Sequence, residues 1–244
     1  LSLSAAGKTG GMDITLSGTT SQGTDKFRVL ELTMNARTDH GENLMALMGL
    51  PALPLGLAGE LEADLALKGN GKDGIQTQLA LKAPDGQALL DGSLRSSNGL
   101  LNGEGRASIK ASDLEPYLAT AGYSLPGFGN GMPVDMASSF QLAKGRLVLP
   151  DLNGKVHDTK IAGRLDLGVN NGTPDIQGNL ALGRIDLPAV VQFMLGTGAV
   201  DAGGQTHWPK ETFAKAPLFP TDFNLKIKAD EADAGVLGRV FSPP

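Results

Sequence analysis

The chain contains no cysteine, so disulfides, thiolate nucleophiles and cysteine-based zinc sites are excluded together. That absence leaves the compartment open, because oxidising and reducing spaces both tolerate a cysteine-free chain. Aromatic residues are scarce at 5 %, and charged residues reach only 19 %. Lysine and arginine number 21 against 26 acidic residues, a net charge of −5, and the cations stand singly among glycines and leucines. No basic stripe for a nucleic-acid backbone is present. No apolar run approaches the roughly 18 residues of a membrane span, and no basic segment leads into an apolar one as in a secretion signal. The sequence opens in mid-pattern at Leu1-Ser2-Leu3-Ser4 without an initiating methionine, which reads as a piece of a longer protein.

What the chain has in excess is glycine, 34 of 244 residues, roughly twice ordinary usage. With 41 % apolar residues it has material for a core, so disorder is not expected. The dominant pattern is alternation with period two, which sends every other side chain to one face of a strand. Leu61, Ala63, Leu65 and Leu67 alternate with Glu62, Asp64 and Lys68, and Leu79 and Leu81 alternate with Gln78 and Lys82. Ala107, Ile109 and Ala111 alternate with Arg106, Ser108 and Lys110. The pattern returns at Ile161, Leu165 and Leu167, at Leu180 and Leu182, and at Phe223, Leu225 and Ile227 against Asn224, Lys226 and Lys228. One-sided strands of this kind predict a largely antiparallel sheet with one apolar and one wet face. Pro84-Asp85-Gly86 and Asn170-Asn171-Gly172 are among the turns that separate the strands.

A longer period is superimposed. Asp39, Asp113 and Asp186 lie 74 and 73 residues apart, and each ends a strand-like stretch and precedes a helical one. The chain therefore reads as one fragment of a larger repeated domain, with copies near 1–50, 51–123, 124–198 and a degenerate 199–244. An aspartate in this place predicts a helix N-cap, its carboxylate accepting otherwise orphaned amides at the positive end of the dipole. Asp39 with Glu42 has the spacing of a capping box, and Pro116 and Pro188 suit first turns. The third copy sets Leu187, Val190, Val191, Met194 and Leu195 in one stripe before Gly196 and Gly198.

Catalytic chemistry finds little support. His40, His157 and His207 stand apart, and His157-Asp158 reads more simply as an exposed turn. Gly7-Lys8-Thr9 lacks the first glycine of a phosphate loop, where Ser2 stands. Gly71-Lys72-Asp73-Gly74 fits a hairpin turn better than a calcium loop, and Asp230, Glu231 and Asp233 fit a solvated helix start. The expectation is a non-enzymatic protein without metal or cofactor.

Short helices of this number cannot cover so many one-sided strands, so two packings remain open. The apolar face is either a groove for a ligand or one half of a closed sandwich. In the first case the lining is Leu61, Leu65, Leu67, Leu79, Leu81, Ile109, Leu165, Leu167, Leu180, Leu182, Leu225 and Ile227.

Three stretches carry a likeness to a known family: Ile161-Ala-Gly-Arg-Leu-Asp-Leu-Gly, Gly172-Thr-Pro-Asp-Ile-Gln-Gly-Asn-Leu-Ala-Leu-Gly-Arg-Ile-Asp-Leu-Pro, and Phe219-Pro-Thr-Asp-Phe-Asn-Leu-Lys-Ile-Lys-Ala-Asp. They resemble the AsmA family of the Gram-negative envelope, related to TamB and to chorein-type bridge proteins, and the style spans most of residues 12–241. The resemblance implies an elongated, twisted β-groove with short capping helices, in a periplasmic body anchored to the inner membrane by an N-terminal helix outside this sequence. It implies that phospholipid acyl chains are the cargo, moved or shielded on the way to the outer membrane, with no catalytic residues. The competing expectation is a structural β-module that recruits other envelope proteins through its sheet edge or outer face.

Overall fold

The computed structural model describes residues 1–22, 28–70, 73–97, 99–123, 129–195, 222–235 and 239–241. His207, Gly71, Gly196, Gly198, Val236, Leu237, the stretch 199–221 of the degenerate fourth copy and the tail 242–244 lie outside the described residues, as do the side chains of Met194 and Leu195.

The protein is mainly β. Among the described residues thirteen strands join one sheet in sequence order. They are β1 (Ser2–Thr9), β2 (Met12–Gln22), β3 (Arg28–Thr38), β4 (Leu61–Asn70), β5 (Gly74–Ala83), β6 (Gly86–Ser97), β7 (Leu100–Ala111), β8 (Val134–Ala143), β9 (Arg146–Val156), β10 (Thr159–Asn170), β11 (Thr173–Asp186), β12 (Asp222–Asp233) and β13 (Arg239–Phe241). Neighbours pair antiparallel throughout, with the single exception of β11 and β12, which run parallel. The chain between those two strands exceeds the dozen residues that a parallel return requires. At about 4.8 Å per strand, the sheet measures roughly 58 Å along its hydrogen-bonding direction, against roughly 40 Å for a twelve-residue strand.

Among the described residues three short helices interrupt this order: α1 (Gly41–Leu47) after β3, α2 (Glu115–Thr120) after β7 and α3 (Leu187–Leu195) after β11. A helix thus follows at four-strand intervals, with Asp39, Asp113 and Asp186 at the three junctions. The aspartates do not act alike. Asp186 Oδ1 accepts the Ala189 N–H at 2.9 Å, an N-cap bond to the third helical amide. Asp113 is not the cap expected from sequence, because Leu114 occupies the N-cap of α2 and no side chain caps it; Asp113 Oδ1 instead accepts the N–H of Glu115 and that of Met132, each at 2.9 Å, and so ties the start of α2 to the entry of β8. Asp39 corrects the sequence expectation. His40 occupies the N-cap of α1, no side chain caps it, and the capping box with Glu42 is absent. The Thr38 hydroxyl accepts the His40 N–H at 3.0 Å and donates to Gly11 O at 3.0 Å, so the turn is already closed one residue before Asp39.

The buried core lies at the end of the sheet where α1 and α2 sit. Met12, Ala36, Leu61 and Ala63 from the sheet pack with Leu44 and Met45 of α1 and with Ala58. Gly41 permits the contact, because a Cβ there would stand 2.8 Å from Leu61 Cδ1 and 2.9 Å from Ala58 Cβ. Helix α2 joins through Tyr117, whose hydroxyl donates to Asp85 Oδ1 at 2.9 Å across the β5–β6 turn. Burial, with the Asp85 carboxylate adding to it, pushes the Tyr117 phenol well above its ordinary range. Among the described residues no second sheet covers the remaining apolar rows, and β1 and β13 do not pair with each other, so the sheet is open and these residues form no closed sandwich.

One irregularity keeps the apolar face continuous. The pairing of β9 shifts against both neighbours, between Ala137 and Gln141 of β8 and between Gly163 and Leu165 of β10. Pro150 lies in the shifted stretch and has no N–H for a ladder, so a bulge is its natural place. The bulge moves the inward parity from Leu147 and Leu149 to Leu152 and Gly154. Asp151 anchors it, accepting the Ser138 hydroxyl at 2.9 Å, the Ser139 N–H at 2.6 Å and the Ser139 hydroxyl at 2.7 Å. These bonds hold the Asp151 carboxyl below the usual carboxylate range.

Candidate functional site

Cross-strand register builds one face row by row, since residues directly opposite in a pair share a face. One row runs Gly7, Ile14, Ala36, Ala63, Leu81, Ala88, Ile109, Met136, Gly154, Ile161, Leu182 and Ala229, twelve strands without a polar side chain. A second runs Ala5, Leu16, Met34, Leu65, Leu79, Leu90, Ala107 and Ser138. Towards the far end a third runs Leu30, Gly69, Ile75, Leu94, Gly103, Leu142, Leu147, Leu167, Ile176 and Phe223.

The twelve leucines and isoleucines named from sequence all fall on this face. Leu65 and Leu79 are directly opposite, Leu81 and Ile109 flank Ala88, and Leu165 and Leu225 flank Gly178. Leu67 faces Leu32, Leu180 faces Ile227, and Leu182 and Leu167 stand in the first and third rows. Leu61 departs from the others: it is 7 % exposed beneath α1 and belongs to the core at the closed end. Ile227 is exposed and the remaining ten are half-buried.

The face deepens where β5 to β9 meet. A hollow of about 310 Å³ lies among Leu79, Leu81, Leu90, Ile109, Met136, Leu149 and Leu152. It shares Leu81, Ala88 and Ile109 with a second hollow of about 140 Å³ roofed by Met45, Met48 and Tyr117. The apolar path is therefore capped by α1 and α2 at one end and uncovered, among the described residues, beyond them. A third hollow, about 640 Å³ over β1 to β6, is lined by two rows of the opposite face, including Ser17, Thr33, Asn35, Asp64, Gln78 and Asp91, and by the row from Ala5 to Leu90 that runs between them.

That opposite face is polar and its charges alternate. Lys8, Asp13, Arg37, Glu62, Lys82, Gln87, Lys110, Asp135 and Lys155 form one row across nine strands. Lys82 Nζ lies 2.6 Å from Asp64 Oδ2, and Asn35 Nδ2 donates to Asp64 and to Glu62 at 2.8 Å each. Through the Lys82 and Asn35 hydrogen bonds the Asp64 carboxyl is held below its ordinary range, and Lys82 is raised in turn. Farther along, Arg146 binds Asp166 at 2.7 Å and Asp175 at 3.0 Å.

The sequence pattern missed Leu90, Met136, Leu149 and Leu152 as lining. In β6 the alternation is masked by Leu89, which lies on the polar face and is 42 % exposed, and in β9 the bulge reverses parity. Among the described residues no cluster of acidic, histidine or cysteine side chains could hold a metal ion, and no helix is long and apolar enough to cross a membrane. The fold and site define an open, single-sheet β protein with one continuous apolar face. Comparison with protein-family models, with curated proteins and with solved structures finds no match.

Proposed function

We propose that the apolar face holds lipid acyl chains and that the protein shields or conducts phospholipid between the inner and outer membranes, supporting outer-membrane lipid homeostasis. The observation that carries this reading is the row from Gly7 to Ala229, which crosses twelve strands without a polar side chain and, among the described residues, is left uncovered past the helical cap. An acyl chain gains about 0.8 kcal/mol per CH₂ removed from water, so such a row can hold a tail without any specific polar contact. The AsmA-like style of the sequence suggests the setting, a periplasmic body tethered to the inner membrane. Photo-crosslinkers at Leu65, Leu167 and Leu182 should capture phospholipid, while the same probes at Glu62, Lys82 and Lys110 should not. Equal capture from both faces would remove the reading. Native mass spectrometry of the purified chain supplies an independent check through co-purifying phospholipid.

A second reading rests on β1, whose eight residues are all exposed. Among the described residues the outer side of β1 is unpaired, and an edge of that length can receive a strand from another envelope protein, so that the sheet would act as a recruiting module. Binding of such a partner would survive arginine at Leu167 and Leu182, whereas lipid passage would not.

A further inference from the structure

The polar face is not uniform. From β1 to β5 its cations have acidic partners, Lys8 with Asp13, Arg37 with Glu60, Lys68 with Glu31 and Lys82 with Asp64. Beyond β5 the pairing thins: Lys110 has Asp135 and Arg146 has Asp166 and Asp175, while other cations have no partner among the described residues. Lys155, Lys160, Arg164, Lys226 and Lys228 are all exposed, and among the described residues none makes a side-chain hydrogen bond or ion pair. Lys155 and Lys160 face each other directly across β9 and β10, an arrangement that disfavours the sheet unless an anion joins it. Asp135 opposes Lys155, but its carboxylate lies 3.4 Å from Lys110, and Asp166 and Asp175 are engaged by Arg146.

Register collects these cations. Arg164, Asn179 and Lys226 are in one row, so the two charges are roughly 10 Å apart across β11, and Lys228 follows Lys226 on the same face. Between them the floor is flat and small, exposed Ala162 and Ala181, beside a hollow of about 420 Å³. The reverse side of β12 carries Ile227, 46 % exposed. Cations on one side of an outer strand and an exposed aliphatic side chain on the other match the boundary of a bilayer, where lysines meet headgroup phosphates and apolar side chains enter the acyl region.

We infer that the β10–β12 end of the sheet docks on an anionic phospholipid surface, with Lys160, Arg164, Lys226 and Lys228 contacting headgroup phosphates. Charge complementarity selects this occupant: the whole chain carries a net charge of −5, and although Asp222 and Asp230 share the exposed face of β12, Lys160, Arg164, Lys226 and Lys228 outnumber them, so attraction to an anionic surface must be local to this patch. The docking is independent of what the apolar face carries.

The test is co-sedimentation of the chain with neutral phosphatidylcholine vesicles and with mixed phosphatidylcholine–phosphatidylglycerol vesicles. Binding is expected to the mixed vesicles alone and to fall as sodium chloride screens it. Each lysine near an anionic surface contributes about fivefold in partitioning, so Lys226→Gln with Lys228→Gln should weaken binding about 25-fold. Lys8→Gln with Lys68→Gln, at the paired end of the same face, should change it little. Circular dichroism confirms that the glutamine variants are folded. Equal binding to neutral vesicles, no binding to either kind, or full binding by Lys226→Gln/Lys228→Gln would overturn the inference. Displacement by inorganic phosphate far beyond that by sodium chloride at equal ionic strength would also overturn it, by identifying a site for free phosphate. Lipid captured at Leu65 with no vesicle docking would refute this inference and leave the groove reading standing, and the converse result would do the opposite.

Discussion

The ring of Phe140 in β8 lies over Gly105, its directly opposite partner in β7, and reaches on to Gly92 in β6. A Cβ at Gly105 would stand 2.8 Å from ring atom Cε1, and one at Gly92 would stand 2.7 Å from Cζ. The two glycines leave the trough that makes Phe140 3 % exposed on a face where most side chains are half-buried.

Phe140→Ala should therefore cost about 3–5 kcal/mol in urea unfolding, the usual loss for a buried phenylalanine. Gly105→Val should also destabilise, because the added carbon meets the Asp91 carbonyl as well as the ring. A loss below about 1 kcal/mol for Phe140→Ala would mean that the ring does not seal this part of the sheet.

The Asp151 bonds to Ser138 and Ser139 predict an acid-sensitive register in β8 and β9. Its carboxyl is depressed by the Ser139 and Ser138 hydrogen bonds, so the folded state is favoured while Asp151 is ionised, above about pH 4. That contribution disappears as pH falls through the depressed value. Amide exchange around residues 137–141 should accelerate below pH 4 in the wild type, and Asp151→Asn should show the faster exchange already at neutral pH. Unchanged exchange in the variant would count against Asp151 as the anchor.

Asp186 and Asp39 should respond differently to alanine. Removing the Asp186 bond to Ala189 N–H takes away an N-cap and should cost about 1 kcal/mol in thermal or urea unfolding. Asp39→Ala should be close to neutral, since no side chain caps α1. Equal losses at the two positions would contradict the cap assignments.

Leu167→Arg and Leu182→Arg should leave the protein folded by circular dichroism, because both positions are half-buried on a face that is uncovered among the described residues and from which a long basic side chain can reach water. The same variants should abolish complementation in cells that depend on the parent protein, since a charge with no partner obstructs the passage of acyl tails. Unfolding by either variant would show that these leucines pack in a closed interior. By contrast, Leu61→Arg should unfold the protein, because Leu61 sits in the core beneath α1.

Alternation in the sequence was enough to determine the β class, the largely antiparallel pairing and the sharing of one face by Leu65, Leu79, Leu165 and Leu182. Side-chain direction on a strand depends only on parity, so it survives without knowledge of neighbours. The spacing of Asp39, Asp113 and Asp186 likewise marked where helices interrupt the strands. Tertiary structure decided what parity cannot carry. Register between strands set which leucines stand opposite one another, and the Pro150 bulge reversed the inward set of β9 in a way visible only against β8 and β10. The docking of α1 through Gly41 moved Leu61 from lining to core, and the Thr38 hydroxyl left Asp39 without a cap. The choice between an open face and a closed sandwich depended on whether a second sheet packs over the first. That is a contact between distant segments, which local patterning leaves undetermined.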